Sequence, residues 1–174
     1  MSAGATQTTP DLAATRAIAD YLIADFAREM QTTLGVIRAV PEGNLSYTPD
    51  PKSKTALGLV RHLALEDEWL LNSVADGKMG PFADESDACG IMNPTDGASR
   101  YETKVTAALD RVRAMSEEEL ARIIDFFGFM QLPAVNVLGL AIKHSIHHRG
   151  QLSAYLRAAG GKVPGIYGPS ADTQ

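Results

Sequence analysis

Residues 11–39, DLAATRAIADYLIADFAREMQTTLGVIRA, run without a proline and place apolar side chains at Ile18, Leu22, Phe26, Met30, Leu34 and Ile37. At about 3.6 residues per turn, this is a single apolar stripe along a helix of about eight turns. So long a stripe must be buried against other elements, and most of the remaining chain also reads as helix. Leu59, His62, Leu63, Glu66 and Leu70 share one face of a second helix, expected from Thr55 to Ala75. A third is expected from Gly97 to Met115, through Tyr101, Val105, Leu109 and Val112. Ser116 followed by Glu119 has the spacing of a capping box, so SEEELARII opens a short helix. From Pro133, a residue suited to a first helical turn, a fourth long helix should reach Ala159 and stop at Gly160 and Gly161. DFFGFMQLP, apolar, aromatic and interrupted by Gly128, is left open, with an extended conformation allowed.

Four long helices and few strand signals predict an all-α four-helix bundle. The segments between them, VPEGNLSYTPDPKSK and DGKMGPFADESDACGIMNPTDG, are rich in proline and glycine and long enough for crossover connections. Residues 1–10 read as a disordered lead-in, 11–168 as one domain, and 169–174 as a flexible tail. A chain of 174 residues suits that single domain.

A net charge of −5 and a pI near 5.3 argue against nucleic acid or an anionic membrane as partner. No apolar run approaches the roughly 20 residues of a membrane span, and the polar start is unlike a secretory signal. Cys89 is the single cysteine, which excludes an internal disulfide and points to the cytoplasm.

Three of the four histidines crowd into HSIHH, as His144, His147 and His148. His144 and His148 stand about 40° apart around a helix and one turn along it, so their rings can converge. His147 lies about 60° from His144 on the other side, so a 144/147 pair is equally legal by spacing. Val137, Ala141, Gln151 and Tyr155 continue this stripe, which turns it inward. Buried imidazoles need partners for their nitrogens; a divalent metal is one, and ordinary hydrogen bonds are the plainer alternative. His62, on the inward stripe of the second helix, can supply a third nitrogen. Three ligands leave open coordination positions, as catalytic sites do. A zincin is excluded, because Ser145 stands where its glutamate belongs. A di-iron carboxylate bundle is excluded too, because no Glu-x-x-His occurs.

The string HSIHHRGQLSAYLRAAGGKVPGIYG resembles the last helix of the DinB/YfiT-like superfamily, with its His-x-x-x-His-Arg-Gly-Gln hallmark. LVRHLALEDEWLL resembles that superfamily's second helix, which carries its first metal histidine. The resemblance implies an up-down-down-up bundle, often homodimeric, with a divalent metal on three histidines. Carried over by position, the ligands are His62, His144 and His148, which selects His148 over His147. It also implies a metal-dependent enzyme of the thiol-transferase, isomerase or hydrolase type, acting on a small molecule with a low-molecular-weight thiol or water. The competing expectation is a non-catalytic, stress-associated protein with a structural or sensory metal. Zn or Ni leads, with Mn or Fe allowed, because imidazole suits several of these ions.

Among the neighbours, Glu66 lies one turn after His62 and is the candidate general base. Gln151 is expected beside a ligand imidazole, and Trp69 and His147 at the pocket. Arg149 leaves the ligand face and should form a salt bridge or dimer contact. Tyr167 is a candidate anchor for the tail.

Overall fold

The computed structural model describes residues 11–173. Helix α1 (Leu12–Arg38) starts where the Asp11 side chain accepts from the Ala14 amide at 3.1 Å. Helix α2 (Ala56–Asp76) is capped by Thr55, which accepts from the Gly58 amide at 3.0 Å. It ends at Gly77, whose φ of 69° lies in the left-handed region that glycine adopts without strain. Helix α3 (Pro94–Arg100) begins earlier than its periodicity suggests, because Asn93 caps it and Pro94 takes the first turn. It runs through a π-helical segment, Tyr101–Val105, into α4 (Thr106–Arg113). Helix α5 (Glu117–Ala121) opens with the capping box of Ser116 and Glu119. Helix α6 (Ala134–Leu156) follows Pro133 directly.

The all-α expectation needs one correction. Strands β1 (Ile123–Phe126) and β2 (Met130–Pro133) pair antiparallel, with Ile124 opposite Leu132 and Phe126 opposite Met130. Phe127 and Gly128, with φ of 53° and 77°, form the turn, closed by a 3.0 Å bond from the Phe129 amide to the Phe126 carbonyl. Two left-handed residues in succession suit a tight hairpin and break a helix. Ile124 is fully buried, which ties this small sheet to the core.

Helix α6 packs against both α1 and α2, and α2 against α4. The core side of α1 differs in part from its sequence stripe. Phe26, Met30, Leu34 and Ile37 are buried, whereas Ile18 is 52% exposed and Ala19 and Ile23 are buried in its place. Residues spaced by four drift about 40° per step around a helix, so an i+4 row leaves the core within a few turns. Gly97 lets α3 approach α2 closely: a Cβ there would run into Cγ1 of Val60.

Candidate metal centre

Helices α2 and α6 lie against each other, and that contact builds the site. His62 comes from α2; His144 and His148, one turn apart, come from α6. Nε2 of His62 is 3.2 Å from Nε2 of His144 and 3.1 Å from Nε2 of His148. The ring centroids form a compact triangle with sides of 4.2, 4.4 and 5.0 Å. All three side chains are half-buried. His147 is exposed and stands outside the triangle.

The far nitrogen of each ring decides what the near nitrogens can do. His62 Nδ1 donates to Glu85 Oε1, His144 Nδ1 to Asp67 Oδ1 at 3.3 Å, and His148 Nδ1 to Gln151 Oε1 at 2.8 Å. A neutral imidazole has one N–H, so a proton held at Nδ1 leaves Nε2 as a bare lone pair. The Gln151 amide is oriented consistently, since its nitrogen donates to His147 Nε2 at 3.2 Å. With the protons at Nδ1, the Nε2 lone pairs face one another, His62 Nε2 standing 3.1 and 3.2 Å from the other two, and repel. A cation shared by the three nitrogens removes that repulsion, and oxygen acceptors behind ligand imidazoles are the usual accompaniment. The donor set fits a divalent transition metal.

Burial disfavours the His148 imidazolium, and the nearby His144, His62 and His147 disfavour it further. Against the smaller opposing pull of Gln151, its pKa falls from 6.5 to about 4. The unfolded chain therefore takes up this proton first as pH falls. Stability of the metal-free protein should be full above about pH 6.5 and decline towards pH 4. Melting temperatures of chelator-treated protein across that range check this, and His148→Gln should flatten the decline. An equal slope in both proteins would rule out His148 as its source.

Glu85 arrives from the 77–93 segment. Burial pushes its carboxyl up, but hydrogen bonds from His62 and Lys54 outweigh burial and hold it at about 2. Arg61 ties that segment to α2, donating through Nε to the Ile91 carbonyl at 2.8 Å and pairing with Asp87 at 2.6 Å. Glu66 is buried, and one of its oxygens lies within 4.8 Å of ligand atoms of both His62 and Glu85. Burial raises its pKa, against the pull of His62 and His144. It takes part in none of the hydrogen bonds that occupy Glu85 and Asp67.

The Trp69 indole N–H donates to the Gly80 carbonyl at 3.2 Å, and its ring packs with Phe82 and Phe127. Arg149 leaves the histidine face, is 1% exposed, and pairs with Glu29. It also donates to the Tyr167 hydroxyl at 2.6 Å, so the C-terminal segment is pinned across α1 and α6. Residues 170–173 fold back as well, with Asp172 accepting from Arg157 and from the Val163 amide, each at 2.9 Å. The expected lead-in, 1–10, and Gln174 lie outside the described residues.

Two partners escaped the sequence reading. Asp67 occupies a buried row, Leu63–Asp67–Leu70–Val74, and an acid on such a row was a usable signal. Glu85 carries no local signal, because only the path of a loop brings it to His62.

The model of the DinB family matches residues 14–174. The protein YjoA of Bacillus subtilis (strain 168) is 28% identical over 145 residues, 81% of this chain and 90% of YjoA. The crystal structure of this DinB-like protein superposes with a TM-score of 0.69 at 24% identity, covering 86% of this chain and 99% of that one. A DinB-like protein from Bacillus cereus gives 0.71 at 24% identity, covering 84% and 95%. At that identity the two crystal structures speak for the fold.

Proposed function

We propose, from the premise that this chain belongs to the DinB family, that it holds a divalent transition metal on His62, His144 and His148 and acts as a metal-dependent enzyme of the thiol-transferase, isomerase or hydrolase type. The observation that carries the reading is the convergence of three Nε2 atoms, each ring having an oxygen acceptor beside its Nδ1. Such a metal supplies Lewis acidity, bringing a water or a low-molecular-weight thiol nearer to deprotonation at neutral pH. Glu66 is the candidate acceptor of that proton: its carboxyl is buried, its pKa is raised, and it sits beside His62. Zn or Ni is the leading metal, with Mn or Fe next.

Elemental analysis of untagged protein should find one divalent metal per chain. A screen of electrophiles with bacillithiol, mycothiol or glutathione should find turnover that a chelator abolishes. Turnover indifferent to the chelator would sink the mechanism. One observation favours a second reading, a structural or sensory metal in a stress-associated protein: the site draws α2, α6 and the 77–93 segment to one point. In that case chelation lowers the melting temperature and no substrate turns over.

The same reading takes the long helices as an up-down-down-up bundle, which the packing of α6 against α1 and α2 supports. It also takes the protein as a cytoplasmic homodimer. On α1, Ile18 and Tyr21 are 52% and 64% exposed, and Leu22 lines a groove of about 590 Å³ with Val135, Gly139 and Leu140, edged by Asp25, Asn136 and Lys143, a surface suited to a second copy. Sedimentation at micromolar concentration distinguishes dimer from monomer. Among the described residues no helix is long and apolar enough to cross a membrane.

A further inference from the structure

The three acceptors behind the histidines are not equivalent. Gln151 is exposed, and Glu85 is 23% exposed and shared with Lys54. Asp67 is 0% exposed and lies inside a closed polar chain. Its Oδ2 accepts from the Tyr101 hydroxyl at 2.9 Å, while its Oδ1 faces His144 Nδ1. The Tyr101 hydroxyl is 3.5 Å from Ser145 Oγ, which is 3.5 Å from Thr33 Oγ. All four of these side chains belong to residues at most 1% exposed.

The backbone is shaped to permit this. Tyr101 opens the π-helical segment Tyr101–Val105, a rare geometry that concentrates at functional sites. Both ends of the segment, Tyr101 and Val105, are fully buried. A buried carboxylate requires donors, and here two groups provide them, the Tyr101 hydroxyl and His144 Nδ1–H. Water cannot substitute for either donor, whereas it can replace Gln151 behind His148.

We infer that Asp67 and Tyr101 form a positioning pair that commits His144 to the Nδ1–H tautomer and makes it the most firmly oriented of the three ligands. This rests on the three-histidine metal reading. Tyr101 acts only through Asp67, and Asp67 only through His144.

The test is titration of the untagged full chain with Zn and Co, comparing the parent with Asp67→Asn, Tyr101→Phe, Gln151→Ala and the Asp67/Tyr101 double variant. Asp67→Asn should weaken metal binding about 10–100-fold, and Gln151→Ala by less than about threefold. Tyr101→Phe should cost at least about threefold alone and nothing further in the Asp67→Asn background, the non-additivity of a coupled pair. Nitrogen-15 spectra of the metal-free protein should show the His144 Nδ1–H tautomer in the parent and a mixture in Asp67→Asn, which a packing defect would not produce. The visible spectrum of bound Co should shift with Asp67→Asn and hold with Gln151→Ala. If Asp67→Asn fails to fold, Tyr101→Phe, which keeps the side-chain outline, carries the comparison. A parent that binds no metal overturns the three-histidine reading together with this inference. A parent that binds metal while Asp67→Asn or Tyr101→Phe binds as tightly overturns the positioning pair alone, as does Gln151→Ala costing as much as Asp67→Asn.

Discussion

Replacing His148 by alanine is expected to lower divalent-metal affinity by more than about 100-fold, while His147→Ala leaves it unchanged. Losing a buried acceptor behind a ligand, as at Asp67, already costs roughly 10–100-fold in metal affinity, so removing a ligand nitrogen outright should exceed that range. The contrast is sharp because the two residues are adjacent on one helix. His148 Nε2 lies 3.1 Å from His62 Nε2, whereas His147 Nε2 is taken by the Gln151 amide. Competition with a chromophoric chelator on untagged protein measures both variants. The reverse ranking would show that the metal uses the 144/147 pair, the alternative that helical spacing allows.

The largest effect on stability should come from the next residue. Arg149→Met is expected to destabilise the protein by about 3–5 kcal/mol, because it leaves one member of a buried ion pair behind. The Arg149 and Glu29 side chains are only 2% and 12% exposed, so water can do little to solvate the stranded carboxylate. At about 2–4 °C per kcal/mol for a domain of this size, the melting temperature should drop by about 10 °C. Methionine fills much of the arginine's volume, which isolates the charge from the packing. Metal stoichiometry at a temperature where the variant is folded should match the parent, since Arg149 contacts Glu29 and Tyr167 and not the histidines. Loss of the metal from folded Arg149→Met would show that this arginine serves the site. The two predictions together separate the neighbouring residues of the HHRGQ string into ligand and brace.

Local periodicity made the long helices legible. Asp11 and Thr55 cap α1 and α2, and Ser116 the short α5, as short polar residues do, and the apolar repeat needs only neighbours within a turn or two. The hairpin was harder to read, because Ile123 to Pro133 carries too few residues for a period to declare itself. Its decisive signal is a pair of left-handed residues, and Phe127 is an unusual occupant of that conformation. The apolar stripe of α1 leaves the core at Ile18, since an i+4 row winds off the core face and only the neighbouring helices decide where.

For the site, the i, i+4 pair on α6 and the inward His62 are properties of single helices, readable as candidates from spacing. Which imidazoles meet depends on how α2 lies against α6, a contact between residues more than 80 positions apart. The same holds for the acceptors behind them. Asp67 acquires its role because Tyr101, Ser145 and Thr33 come from three other stretches of chain to enclose it. Glu85 acquires its role through the course of a loop. By itself the sequence determined the long helices, the Ser116 capping box and the candidate histidines, because these follow from short-range periodicity and hydrogen bonding, while the choice of His148 over His147 came from the family resemblance. Tertiary structure alone decided the convergence of the nitrogens, the carboxylates beside Nδ1 of His62 and His144, and the burial of the acid behind His144, because those require groups far apart in the chain to be brought together.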